Sequence, residues 1–586
     1  MSNKKESKGK VINAAETKPW LEFYGDVPES LDYPDVTLYE RLMQTVERDP
    51  NAIAFDFQGT EYTYKQMANE IDIFADALYN IGVREGDVMT ISMPTAPNGV
   101  IPIYALNKIG AIASMIHPLS PAPQIKMFLE ISNSKWALTL DAFYGKFAEI
   151  LDETNVEKLI LGKIGDYLST LKKFGFWLLK GRKIPKVPDA NNVKWYSELM
   201  EGDYSPAPQT KKSGDDTAII LYSGGTTGIP KGIQLTNLNM ISEGMMVSEW
   251  GNLTKEDAIL AILPIFHGFG LGVCVNAAFM AGGKSIFVPQ FTPETVAKLV
   301  KKKRPNFLIG VPTLFEALAN NPDFQETDLS CLRATFSGAD TLPKKVKEKF
   351  EQVVKNGGGN IKLLEGYGLT EAVTAIMATP LNSYKEESMG IPFPDMLAKI
   401  VKLGTQEEVP VGEEGEICLH GPAVMKGYLN NPEETAKALQ KHDDGRIWLH
   451  TGDIAKMDEE GWFFFQLREK RMLKVSGVNV YPKAVEESLR KHPKVETACV
   501  IGIPDKKQIS RVKAFVVLKE NTNETEKMKE KLKKFCLKNL LKWESPREIE
   551  FRDELPTTLV GKIAWKDLED EELDKLKHAG KYPFNE

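Results

Sequence analysis

The sequence predicts an α/β chain built on mostly parallel, doubly wound sheet, followed by a β-rich subdomain and a small C-terminal unit. Three observations predict it. At 586 residues the chain exceeds one hydrophobic core, so roughly two to four domains are expected. From about residue 38 to 400, apolar strand-like runs alternate with segments whose apolar residues recur three and four apart, the pattern of repeated βα units. Between 400 and 466 short strands dominate instead, and after Arg471 a compact α/β pattern follows.

In chain order, residues 1–20 open with the polar, basic MSNKKESKGK and read as a disordered N-terminus with no signal peptide. Residues 64–81 and 99–109 have helical spacing, and 88–94 and 136–140 read as strands, all within an α/β part placed at 21–400. The run AIILY at 218–222 is a strand that feeds a glycine-rich loop. EICLHG, IWLHTG and WFFFQL supply the β-rich subdomain at 401–469. From a boundary at Lys470, residues 470–586 carry VNVYP, a helix at 483–491, the strands VETACVIGI and VKAFVVL, and a charged helix at 523–541.

Composition excludes several classes. Apolar content of 42% and charged content of 26% are those of an ordinary globular protein, and a net charge of −7 argues against nucleic acid as a partner. No run approaches the roughly 18 apolar residues a membrane-crossing helix needs. The five cysteines are scattered and never form CxxC, which fits a reduced cytoplasmic setting with no disulfide framework or zinc site. Segment 162–186 stands apart, with seven basic residues, one acidic residue and the apolar cluster Phe174, Phe176, Trp177, Leu178, Leu179. Such a stretch suits the inner face of an anionic membrane, and equally a surface loop whose aromatics pack back onto the domain. A homodimer is also left open.

The loop YSGGTTGIPKG (222–232) constrains chemistry most. Gly224, Gly225 and Gly228 let the backbone approach a ligand closely. Successive N–H groups make an anion-binding concavity, to which Ser223, Thr226 and Thr227 add hydroxyls and Lys231 a charge. It is not a Walker A loop, because Lys231 follows Pro230 and Gly232 stands where the magnesium-binding hydroxyl belongs. In YGLTE (367–371) the threonine can donate to a phosphate oxygen and the carboxylate can hold Mg²⁺. In LHTGD (449–453) the aspartate can accept from ribose hydroxyls or merely stabilise its turn. FHG at 266–268, SGAD at 337–340 and the lysine of LPTTLVGKI (555–563) are each ambiguous alone.

Taken in order, and with KVSGVNVYP at 474–482, these motifs resemble the adenylate-forming superfamily of acyl-CoA synthetases, peptide adenylation domains and luciferases, over roughly residues 20–570. SGGTTG and the opening PWLEFYGDVPESLDY look most like bacterial long-chain fatty-acid–CoA ligases. The resemblance implies an N-terminal domain of two doubly wound subdomains plus the β-rich one, and a mobile C-terminal α+β domain. It implies ATP, Mg²⁺ and coenzyme A, with a small carboxylic acid as substrate. It also assigns roles: Lys562 bridges the carboxylate and the α-phosphate, Thr370 contacts that phosphate, and Glu371 holds the metal. Gly338, Ala339, Asp340, Gly366 and Tyr367 wall the adenine, Asp453 and Arg468 hold the ribose, and Ser223–Lys231 grips the pyrophosphate portion. His267 lines the acyl pocket, Lys470 is the hinge, and Lys474, Ser476 and Gly477 help form the CoA channel. The chain departs from the superfamily pattern at Leu467, before Arg468, at Ser510-Arg511 and at Trp565. Bile or aryl acids, and a carrier protein in place of CoA, are the alternatives.

Overall fold

A computed structural model of the chain describes residues 11–169, 172–175, 184, 186–188, 190–223, 230–468, 471, 473–475, 478–480, 482–505, 509–520, 522, 524–540, 542–557 and 563–578. Two large sheets form its body. One has eight strands and runs parallel from Thr217–Ser223 through Ile112–Met115, Val88–Ser92, Trp136–Leu140 and Lys158–Gly162 to Val193–Trp195. The other has nine, with a parallel centre of Ile53–Phe57, Lys284–Phe287, Ala258–Ala261, Phe307–Gly310, Ala334–Ser337 and Leu363–Gly368. The expected doubly wound halves are therefore both present. The strand entering the glycine-rich segment, Thr217–Ser223, pairs antiparallel with Lys231–Thr236 beyond it.

Helices start where side chains satisfy their free N–H groups. Thr37, Thr63 and Thr236 each form a capping box at the head of Leu38–Arg48, Tyr64–Asn80 and Asn237–Trp250. Pro97–Lys108 is buried over nearly its whole surface between the sheets, and Asn237–Trp250 is largely so. One continuous apolar core joins the two large sheets and the β-rich sheet. No helix among the described residues is long and apolar enough to cross a membrane.

The expectation of a disordered 1–20 fails for its described part. Ala14–Thr17 is helical, Pro19–Phe23 forms a 3₁₀ turn, and Ala14, Ala15 and Trp20 are buried. The cause is long-range packing that local composition does not reveal. The Ala14 N–H donates to Glu408 at 3.4 Å, the Trp20 ring meets Phe463 at 6.1 Å, and the Tyr24 hydroxyl donates to the Pro392 carbonyl at 2.8 Å. The β-rich sheet itself begins at Leu397–Val401 and continues through Gly415–His420 and Ile447–Met457, with Phe463–Arg468 beside the last. A separate C-terminal sheet of Leu473–Val475, Val478–Val480, Val495–Asp505, Ile509–Leu518 and Glu548–Phe551 has its own small core.

Candidate active site

A cleft of about 2640 Å³ lies where the large sheets, the β-rich sheet and the C-terminal unit meet. Two adjacent parallel strands, Ala334–Ser337 and Leu363–Gly368, point their C-terminal ends into it, the usual ligand position in open α/β sheets. Their register therefore sets Gly338, Ala339 and Asp340 beside Gly366 and Tyr367, and all five line the cleft. A Cβ on Gly338 would lie 3.0 Å from Phe269 and 3.4 Å from the Gly366 carbonyl, so the wall is flat because it has no side chain there. Ala339 holds φ at +70°, a left-handed conformation that costs energy in a residue with a Cβ.

The Tyr367 hydroxyl donates to Asp453 at 2.8 Å, joining the adenine wall to the ribose candidate. Asp453 is buried at 1% exposure, its N–H donates to Thr451 Oγ1, and strand pairing sets it opposite Arg468. Thr370 and Glu371 occupy a short 3₁₀ turn, and Glu371 accepts from the Tyr428 hydroxyl at 2.9 Å. A half-buried carboxylate on the cleft wall is a fitting hard-oxygen donor for Mg²⁺. Val373 follows at φ +61° and ψ −67°, an outlier for a β-branched residue. The His267-Gly268 turn packs against it so closely that a Cβ on Gly268 would sit 1.9 Å from the Val373 carbonyl oxygen. His267 lines the cleft, and its Nδ1 accepts the Phe269 N–H at 3.1 Å.

Lys231 departs from expectation. Ser223 is on the cleft wall, but Lys231 lies outside the lining, ion-paired to Glu434 and 4.6 Å over the Tyr428 ring. Lys231 and then Lys437 hold the Glu434 carboxyl down at about 2. Gly224, Gly225, Thr226, Thr227 and Gly228 lie outside the described residues, as do Lys470, Ser476, Gly477 and Lys562. Arg468 and Lys474 are described as strand backbone only. The residues that flank Lys562 nevertheless reach the site: Thr557 and Ile563 bridge each other, and both line the cleft. Lys483 brings further charge across the domain junction. Burial lowers its pKa against the pull of Glu487, Asp340 and Glu365, while burial pushes Glu365 up to about 7.

Away from the nucleotide walls the cleft turns apolar. Val247 and Trp250 project from one helix, Leu253 follows it, Ile259 and Phe307 are register partners on adjacent strands, and Val273 comes from the π-helix Phe269–Asn276. Behind this wall, one turn from Val247, Glu243 is fully buried. Burial pushes its carboxyl up to about 8, and Oε1 accepts only a long 3.4 Å bond from the Ala375 N–H. A Cβ on Gly272 would lie 2.4 Å from its Oε2, so that glycine makes room for it. Glu243, Tyr428 and Glu434 were not legible as site residues, because no motif contains them. In segment 162–186, Phe176, Trp177, Leu178 and Leu179 lie outside the described residues. Phe174 is 59% exposed, and Tyr167 packs inward to donate to Glu70.

Residues 42–429 match the AMP-binding enzyme family and 484–562 the AMP-binding enzyme C-terminal domain. The chain is similar to a long-chain-fatty-acid–CoA ligase of Bacillus subtilis (strain 168), 35% identical and covering 95% of this chain and 98% of that one. A second, of Escherichia coli O6:H1, is 33% identical over 95% and 99%. Among solved structures, an ATP-bound RpMatB–BxBclM chimera superposes with a TM-score of 0.80 at 25% identity, covering 92% of this chain and 99% of that one. ATP-bound MatB from Rhodopseudomonas palustris shares the fold, with a TM-score of 0.79 at 23% identity over 92% and 99%. With both family domains in place around a cleft walled by the predicted nucleotide motifs, the chain belongs to the adenylate-forming AMP-binding enzyme family.

Proposed function

We propose that the protein is an AMP-forming acyl-CoA synthetase that converts a long- or medium-chain fatty acid, ATP and coenzyme A to acyl-CoA, AMP and pyrophosphate. One observation carries the reading: a single cleft joins the nucleotide motifs at one end to a deep apolar wall at the other. The names of the full-length relatives point the same way.

In the first half-reaction a carboxylate oxygen attacks the α-phosphorus of ATP, the bond to the bridging oxygen breaks, and pyrophosphate leaves. Charge builds on the phosphate oxygens, and preorganised donors stabilise it. Thr370 donates to the α-phosphate, Lys562 bridges it to the carboxylate, and Tyr367 with Asp453 fixes the nucleoside. A Mg²⁺ held by Glu371 would neutralise phosphate charge. In the second half-reaction the CoA sulfur attacks the acyl carbon and AMP leaves, a far better leaving group than the oxide of a free carboxylate. Lys562 has then finished its part. The C-terminal domain turns about Lys470 and brings Lys474, Ser476 and Gly477 to the cleft, a hinge motion.

AMP release from ATP, measured with and without CoA across acids from acetate to stearate, plus a bile acid and a benzoate, tests the reading. CoA-dependent AMP with a long-chain optimum is the expected result. Activity on ring acids alone, or pyrophosphate formation indifferent to CoA, overturns it. Peripheral attachment through 162–186 belongs to the same proposal, supported by the exposed Phe174. Sedimentation with anionic vesicles should weaken when Phe176 and Trp177 are both changed to Ser, and unchanged binding would sink the attachment.

A further inference from the structure

The β-rich sheet carries a second constellation that the reaction does not use. Among the described residues, Glu416, Cys418 and His450 bring one carboxylate oxygen, one sulfur and one ring nitrogen within 4.8 Å of one another, and none of the three lines the cleft. Neighbouring antiparallel strands assemble them, with Cys418 directly opposite His450 and a register shift between Glu416 and Cys418. Residues two apart on a strand share a face, so Glu416 and Cys418 both reach one ring. Cys418 Sγ lies 3.6 Å from His450 Nδ1, and Glu416 Oε2 lies 2.8 Å from the same atom.

Two of the three donors are already held in place from outside the cluster. Glu416 Oε1 accepts the Gly452 N–H at 2.9 Å, which turns Oε2 toward the ring. The far nitrogen of the ring, His450 Nε2, lies 2.9 Å from His442 Nε2. The His442 ring is 4% exposed, and its Nδ1 has no hydrogen-bond partner among the described residues. A ligand histidine usually donates its outer ring N–H to a carboxylate, carbonyl or water, and here the His442 ring takes that place. Lys399, opposite Cys418 in register, directs its ammonium to the Trp448 ring at 4.2 Å and to Asp444 at 3.9 Å.

We propose that Glu416 Oε2, Cys418 Sγ and His450 Nδ1 bind a zinc-class divalent cation, with water as the fourth ligand and His442 as the positioning residue for His450. Tetrahedral zinc with ordinary bond lengths sets sulfur and nitrogen ligands about 3.6 Å apart and nitrogen and oxygen ligands about 3.4 Å apart. The first spacing is already met, and the second needs the Glu416–His450 hydrogen bond to open by about 0.6 Å. The thiol selects against Mg²⁺ and Ca²⁺, so this site and Glu371 would not compete for one ion. On binding, the Cys418 thiol releases its proton to solvent. His450 then carries its proton on Nε2, which His442 Nε2 accepts. The paired thiolate and carboxylate balance the two charges of the ion. Scattered cysteine spacing gave no such signal, because the ligands meet across strands and not along one.

The test is titration of the full-length, chelator-stripped protein with Zn²⁺ by calorimetry and with Co²⁺ by absorption, in excess magnesium. Uptake of one equivalent, with a thiolate-to-cobalt charge-transfer band that Zn²⁺ displaces, is expected. Cys418→Ser should abolish the band, and His442→Gln should keep it while weakening affinity about 10–100-fold. No band and no stoichiometric uptake by the unaltered protein overturns the proposal, whatever the variants do. A band that survives Cys418→Ser in a folded variant overturns it too, since another cysteine would then be the ligand.

Discussion

The two ends of the cleft are built differently. The nucleotide end comes from short contiguous segments at neighbouring strand ends, each held stiffly: Ala339 and Val373 at positive φ, and Tyr367 bonded to Asp453. The acyl end is assembled from single residues on a helix, a π-helix and two strands, packed by apolar contact and pinned at Trp250, whose Nε1–H donates to the Thr379 carbonyl at 3.3 Å. Phosphate chemistry demands donors at fixed positions, whereas a hydrocarbon chain demands only volume and dryness. Ala339 and Val373 thus place backbone strain where charge is handled, and Asn252 at φ +47° places some beside the acyl wall.

The sharpest way to break this contrast is at Lys562. Lys562→Ala should slow acyl-adenylate formation by roughly 10²–10³-fold and leave thioester formation from supplied acyl-adenylate near normal. Equal loss in both half-reactions would mean that the lysine does not belong to the nucleotide end alone. At the acyl end, Val247→Phe should cut kcat/KM for the longest acids by roughly 10–200-fold, shift the optimum to shorter chains and leave the KM for ATP unchanged. A matching change in the KM for ATP would show the two ends to be coupled. Between them, Glu434→Gln frees Lys231 from its ion pair, and the KM for ATP should fall by up to about fivefold, the range of an exposed pair. A rise in that KM would mean that Glu434 presents Lys231 rather than restrains it.

A separate, pH-dependent effect concerns Glu243. An unfolded glutamate titrates near 4.3, and burial raises this one to about 8, so the folded state holds its proton more tightly. Its stabilising share is fully present below about pH 4.3 and is lost as pH climbs through about 8. Glu243→Gln should therefore gain Tm relative to the unaltered protein as pH rises across that window. A difference in Tm that stays flat with pH would refute the assignment.

What the sequence made legible follows the same division. Hydroxyls, glycines and charges set side by side in YGLTE, SGAD and TGD carry their own chemistry, and the first two motifs and the Asp453 of the third lie on the cleft wall. The strands around them were legible from apolar runs. Glu434 and Tyr428 were not, because they reach Lys231 and Glu371 only through tertiary pairing of strand Gly427–Tyr428 with Lys231–Thr236. The acyl wall was equally silent, since Val247 and Phe307 look like any core residue until the sheet register is known. Residues 11–20 were misread for a related reason: a short segment with no periodic apolar pattern of its own was bound by partners hundreds of residues away.

That last feature has a temporal side. The Tyr24 hydroxyl finds its acceptor 368 residues later in the chain. At synthesis rates of about 5–20 residues per second, this segment waits roughly 20–70 s after translation before its seat exists. A stretch made early is thus among the last to dock, and its docking records that the edge strand Ile391–Pro392 of the nine-stranded sheet has been made.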